Sequence, residues 1–156
     1  MTAAHCADGA LRFSLLLGAH DRTVAEPSQV TIVTNEYAIH PNWNPSTLAN
    51  DIALIKLPYS LNFTDEISPI CMAPMTEPDH AGDTLLVSGW GKTAEIGGIS
   101  NTLNKVTAPG ITTAECAATY GDIITDRILC IDTTGGHGSC NVRYAIALLL
   151  LILLLI

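Results

Sequence analysis

Apolar positions come in short runs, each closed by turn-forming residues. Residues 11–17 (LRFSLLL) lie between Gly9 and Gly18, and residues 28–34 (SQVTIVT) are rich in β-branched side chains. Residues 52–57 (IALIKL) end at Pro58, and three further runs follow at 83–90 (DTLLVSGW), 103–108 and 127–131. Runs of this length, bounded by Gly, Pro, Asn and Ser, predict β-strands. The stretches between them, such as HPNWNPSTLAN, SPICMAP, TEPDHAGD and EIGGISN, read as loops. Many short strands with turn signals between them predict an all-β barrel or sandwich. One short helix is expected near residues 112–120. Thr112 and Glu115 have the spacing of a capping box, the sequence CAATY suits a helical turn, and Gly121 can end it.

The last twelve residues, AIALLLLILLLI from Ala145 to Ile156, are uniformly apolar. At about 1.5 Å per residue a helix of that length covers roughly 18 Å, against a hydrocarbon core of about 30 Å, so a membrane span is not expected. No signal peptide is read at Met1, which leads straight into Thr2-Ala3-Ala4-His5-Cys6. The chain holds 156 residues, 48% apolar and 14% charged, which suits a folded domain and excludes disorder. Its net charge of −8 makes it a poor partner for nucleic acid, where clustered Lys and Arg bind phosphate. Five cysteines is an odd number, so in an oxidising compartment at least one has no partner within the chain.

Two residues stand out chemically. Asp51 opens an apolar run, where burying a carboxylate costs several kcal/mol unless it is paired and hydrogen-bonded. His5 is a plausible partner: a carboxylate accepting from one ring nitrogen fixes the tautomer and leaves the other nitrogen basic. By themselves the two residues fit a structural ion pair equally well.

With their flanks they say more. TAAHC at 2–6, NDIALIKL at 50–57, SGWG at 88–91 and GSC at 138–140 stand in the order and spacing of the chymotrypsin-like (trypsin-family) serine endopeptidases. The sequence resembles that family from Thr2 to Asn141, and LGAHDRTVAEPSQVTI and CIDTTGGHGSCN are similar to digestive, brachyurin-type members. The resemblance implies a chymotrypsin-like double β-barrel, here incomplete: the opening strands of the first barrel and the closing strands of the second are missing. Residues 1–141 form a partial protease domain, and 142–156 form an apolar tail foreign to the family.

The resemblance also implies roles. His5 matches the catalytic base and Asp51 the acid that orients it. Gly138 and Ser139 match the base of the substrate pocket, where Gly in place of an acid argues against Arg or Lys preference and for apolar or mixed substrates. Cys116 and Cys130 match a disulfide, whereas Cys6, Cys71 and Cys140 match cysteines whose partners lie outside this chain. Protein or peptide substrates, secretion and the absence of any cofactor follow from the same likeness.

The departure comes after Asn141. The family continues Gly-Asp-Ser-Gly-Gly-Pro, and this chain continues Val142-Arg143-Tyr144. The nucleophilic serine and the main-chain donors of the oxyanion hole are therefore missing. The expectation is an inactive fragment of a serine endopeptidase with Met1 as an arbitrary start. The alternative is a non-catalytic protease homologue that binds a partner.

Weaker signals stay weak. Many trypsins bind calcium in the loop after the dipeptide seen here as Leu17-Gly18. Here Ala19 replaces the first Glu and only Glu26 remains, too little for a cation wanting 6–8 oxygens, so no metal is expected. His20, His40, His80 and His137 lack the spacing of zinc ligands. Asn62-Phe63-Thr64 is an N-glycosylation acceptor if the chain is secreted, whereas Pro45 disqualifies Asn44.

Overall fold

The computed structural model describes residues 1–72, 80–93 and 96–134. Among these residues seven strands and two short helices follow one another: α1 (Ala4–Ala7), β1 (Phe13–Leu17), β2 (Val30–Thr34), β3 (Tyr37–Ile39), β4 (Ala53–Ile55), β5 (Thr84–Gly89), β6 (Asn104–Ile111), α2 (Thr113–Tyr120) and β7 (Cys130–Ile131), with a 3-10 turn at Gly121–Ile123. The class is all-β, as the runs predicted. Among the described residues the strands form three antiparallel sheets, β1–β2, β3–β4 and β5–β6–β7, none of them closed on itself. This agrees with an incomplete double barrel.

Alternation sets the register of the first sheet. Leu17 pairs with Val30 and Leu15 with Ile32, so the same face of both strands turns inward. Leu17, Ile32 and Ile67 are the buried centre of the first half, with Leu15, Val30, Leu57 and Leu61 packed around them. Leu11 is 90% exposed and falls outside β1, which starts two residues later than the apolar run.

The other boundaries shift for identifiable reasons. β6 runs past Ala108 to Ile111 because Gly110 and Ile111 pair with Ile131 and Cys130. Gly110 also lets the chain at His80 approach: a Cβ there would lie 2.2 Å from the His80 carbonyl oxygen. The run at 127–131 shortens to β7 because Ile128 N–H donates to the Thr125 carbonyl and holds a turn there. α2 starts after Thr112 with a full capping box, Glu115 N–H donating to the Thr112 hydroxyl while the Glu115 carboxylate accepts from Thr112 N–H. β3 and α1 were not expected from the sequence. Three and four residues are too few to show a period.

Candidate active site

His5 lies in the single turn of α1, which sits tightly because its inner residues are alanine. Ala3, Ala4 and Ala7 are 1%, 0% and 0% exposed. Immediately before it Thr2 pairs with Ala53 at the start of β4, Thr2 N–H to Ala53 O at 2.8 Å and Ala53 N–H to Thr2 O at 2.7 Å. This pairing clips the His5 turn to the segment that carries Asp51. That segment turns sharply just before β4. Asn50 has a left-handed backbone (φ 58), Ile52 N–H donates to its carbonyl, and its side chain donates to Asn42 O. Asn tolerates this conformation better than most residues.

The two residues meet across 46 positions of sequence. His5 Nδ1 lies 2.7 Å from Asp51 Oδ2, and His5 main-chain N–H donates to Asp51 Oδ1 at 2.8 Å. An ionised carboxylate only accepts, so Nδ1 carries the hydrogen and the lone pair stands on Nε2. The Asp51 side chain is 4% exposed and that of His5 37%. The acid is thus enclosed with both oxygens engaged, and the imidazole reaches the surface. Such an arrangement holds one tautomer and one ring orientation, and stabilises the imidazolium that forms when Nε2 takes a proton.

The main-chain half of this contact and the Thr2–Ala53 clip were not read from the sequence. The clip's only sequence signal is the nearness of Thr2 to His5 and of Ala53 to Asp51. Cys6 follows His5 as an exposed thiol outside any disulfide, and Cys71 is another. Burial, then the Asp51 charge, pushes the Cys6 thiol up, against a Thr2 hydrogen bond that lowers it.

Cys116 of α2 and Cys130 of β7 form a disulfide, with their Cα atoms 6.3 Å apart. Asn62 is exposed, in the loop where the Thr64 hydroxyl accepts from Glu66 and Ile67 N–H. Gly138, Ser139 and Cys140, with the whole of the tail, lie outside the described residues. No group of three or more metal-ligating side chains occurs among the described residues, and no helix among them is long and apolar enough to cross a membrane.

Comparison with known proteins bears on the same residues. The family described as Trypsin matches residues 1–141. Brachyurin of Leptuca pugilator is 41% identical over 142 residues, covering 90% of this chain and 62% of its own length. Trypsin-1 of Astacus astacus is 35% identical with the same coverages. A solved structure of GrC superposes with a TM-score of 0.76 at 28% identity, over 83% of this chain and 57% of that one. The chain spans about three-fifths of the length of the curated relatives it matches. A match over residues 1–141, three open antiparallel sheets and a His–Asp pair joined across the first half lead to one assignment: the chain belongs to the trypsin family of serine proteases.

Proposed function

We propose that His5 and Asp51 are the base and the orienting acid of a serine endopeptidase, and that these 156 residues by themselves supply no nucleophile. The contact that carries the reading is the double one, Asp51 Oδ2 to His5 Nδ1 and Asp51 Oδ1 to His5 N–H. A surface ion pair needs no such arrangement. Enclosing the acid while exposing the imidazole is what proton transfer asks for. In the whole enzyme, His5 Nε2 would take the proton of a serine hydroxyl as its oxygen attacks the peptide carbonyl. It would then return that proton to the leaving amine, and water would hydrolyse the acyl-enzyme by the same route.

The substrates we propose are proteins or peptides, with apolar or mixed preference set by Gly138 and Ser139, in a secreted setting. The sequence holds no Gly-Asp-Ser-Gly-Gly segment. Without the serine no covalent intermediate forms, and each missing oxyanion donor is worth about 2.7–4 kcal/mol of transition-state stabilisation. The 156-residue chain should stay unlabelled by a fluorophosphonate probe. Stoichiometric labelling that disappears in His5→Ala would refute its lack of a nucleophile. The binding-protein alternative gains no specific support from the geometry.

A further inference from the structure

The loop between β1 and β2, residues 18–29, joins the two halves of the molecule. At its neck the Ser28 hydroxyl donates to Gly18 O at 2.8 Å, and Gly18 has a left-handed backbone (φ 65). Its far side grips the second half. His20 O accepts from both Trp90 Nε1 (2.9 Å) and Leu103 N–H (2.8 Å). Arg22 donates through N–H to Asn101 O, through Nε to Ser100 O and through a terminal nitrogen to Asn101 Oδ1.

Inside this loop one side chain does something unusual. Gln29 Nε2 lies 2.9 Å from Asp21 O, 2.8 Å from Val24 O and 2.9 Å from Glu26 Oε2. Three oxygens, one of them anionic, converge on a single nitrogen that carries two hydrogens, so one contact is shared. The same Glu26 oxygen also accepts from His20 and Asp21 N–H, at 2.6 and 3.1 Å. These donors hold the Glu26 carboxyl below its usual range, with the His20 N–H foremost.

We propose that the Gln29 carboxamide nitrogen is the internal pin of this loop: it fills an oxygen cage of the kind that otherwise calls for a hard cation, and so keeps the clasp between the two halves closed without a metal. The donor set supports this. Two main-chain carbonyls and a carboxylate repel one another unless something positive or hydrogen-bearing stands between them, and oxygen cages of this make-up suit calcium-like ions. Here the amide N–H groups take that place, and Glu26, the residue left as a possible cation ligand in the sequence, is spent on N–H donors. His20, whose carbonyl holds the second half, and Asp21, which bridges to Thr102, are fixed by the same Glu26 oxygen. The pin therefore acts on the clasp through them, and Gln29 is a positioning residue independent of the His5–Asp51 pair.

The test uses the full chain with its Cys116–Cys130 bridge formed. Amide exchange at His20 and Asp21 reports the cage, and Trp90 emission, in a Trp43→Phe background, reports the clasp. In the unaltered chain both amides should be protected and neither signal should move with calcium or with a chelator. Gln29→Leu should speed their exchange about ten- to a hundredfold, the equivalent of one hydrogen bond to a charged group. Gln29→Glu removes the hydrogens and adds a second carboxylate. It should lose protection in chelator and regain both protection and the Trp90 signal in millimolar calcium, a rescue that general unfolding would not show. Unprotected amides in the unaltered chain, a calcium response there, a Gln29→Leu variant with unchanged exchange, or a Gln29→Glu variant that calcium does not restore would each overturn the proposal.

Discussion

Replacing Asp51 separates an orienting acid from a mere surface charge. Its carboxylate accepts two hydrogen bonds from one residue, at 2.7 and 2.8 Å, in a side chain only 4% exposed. Asp51→Ala leaves both His5 donors facing a void. A hydrogen bond to a charged acceptor is worth about 1.5–3 kcal/mol, so losing both costs about 3–6 kcal/mol, a large share of a domain's roughly 5–15 kcal/mol. Asp51→Asn is milder. Its single oxygen can keep the main-chain N–H, but its NH2 then faces Nδ1, which already carries a hydrogen. A bond to a neutral acceptor is worth about 1 kcal/mol less than one to a charged acceptor, so the two contacts together lose about 2 kcal/mol. The larger effect is on the ring: Nδ1 must become the acceptor and Nε2 the N–H, the wrong tautomer for a base. Denaturant midpoints should fall in the order parent, then Asp51→Asn, then Asp51→Ala. Imidazole ¹⁵N shifts of the neutral ring should show Nδ1–H in the parent and Nε2–H in Asp51→Asn. An unchanged tautomer in Asp51→Asn, or equal midpoints for all three proteins, would refute the reasoning.

Three further outcomes follow from other parts of the fold. The Cys116–Cys130 bridge closes a loop of about 15 residues, so Cys116→Ala with Cys130→Ala should cost about 3 kcal/mol, seen as a lower denaturant midpoint and faster exchange in β7. Gly18→Ala should cost at least about 1–2 kcal/mol for its left-handed backbone, and more because the new Cβ would lie 2.4 Å from Ser28 O; an unchanged midpoint would contradict the packing at the loop neck. The Glu115 carboxyl is held below its usual range by the Thr112 hydroxyl and then the Thr112 N–H, so its contribution is full above the ordinary carboxylate pKa and fades as pH falls through the lowered one; the Glu115 amide shift should titrate there in the parent and stay flat in Glu115→Gln, which keeps the cap but cannot ionise.

What the sequence revealed depended on how local each signal was. Thr112 and Glu115 sit three residues apart, and their cap was legible because both partners belong to one turn. The strands at 13–17 and 30–34 showed through because one is a short apolar run between Gly9 and Gly18 and the other is rich in β-branched residues. β3 was hidden: Tyr37–Ile39 is three residues between Asn35-Glu36 and His40-Pro41, and only its pairing with β4 makes it a strand. His5 and Asp51 were legible through their flanking motifs. Their second contact, through the His5 main chain, depends on a Thr2–Ala53 pairing that no local pattern encodes. Gln29 was invisible for the same reason, since its three acceptors come from a loop whose closure the sequence does not state.

The central claim is that residues 1–141 carry a working base and its acid. A chimera tests it most directly, with this stretch replacing the matching part of Leptuca pugilator brachyurin, so that the rest of that protein supplies what these residues lack. The account predicts a chimera that cleaves peptide substrates, is silenced by His5→Ala and falls about 10⁴-fold in kcat with Asp51→Asn. A folded chimera that is inert, or one whose hydrolysis survives His5→Ala, would contradict it.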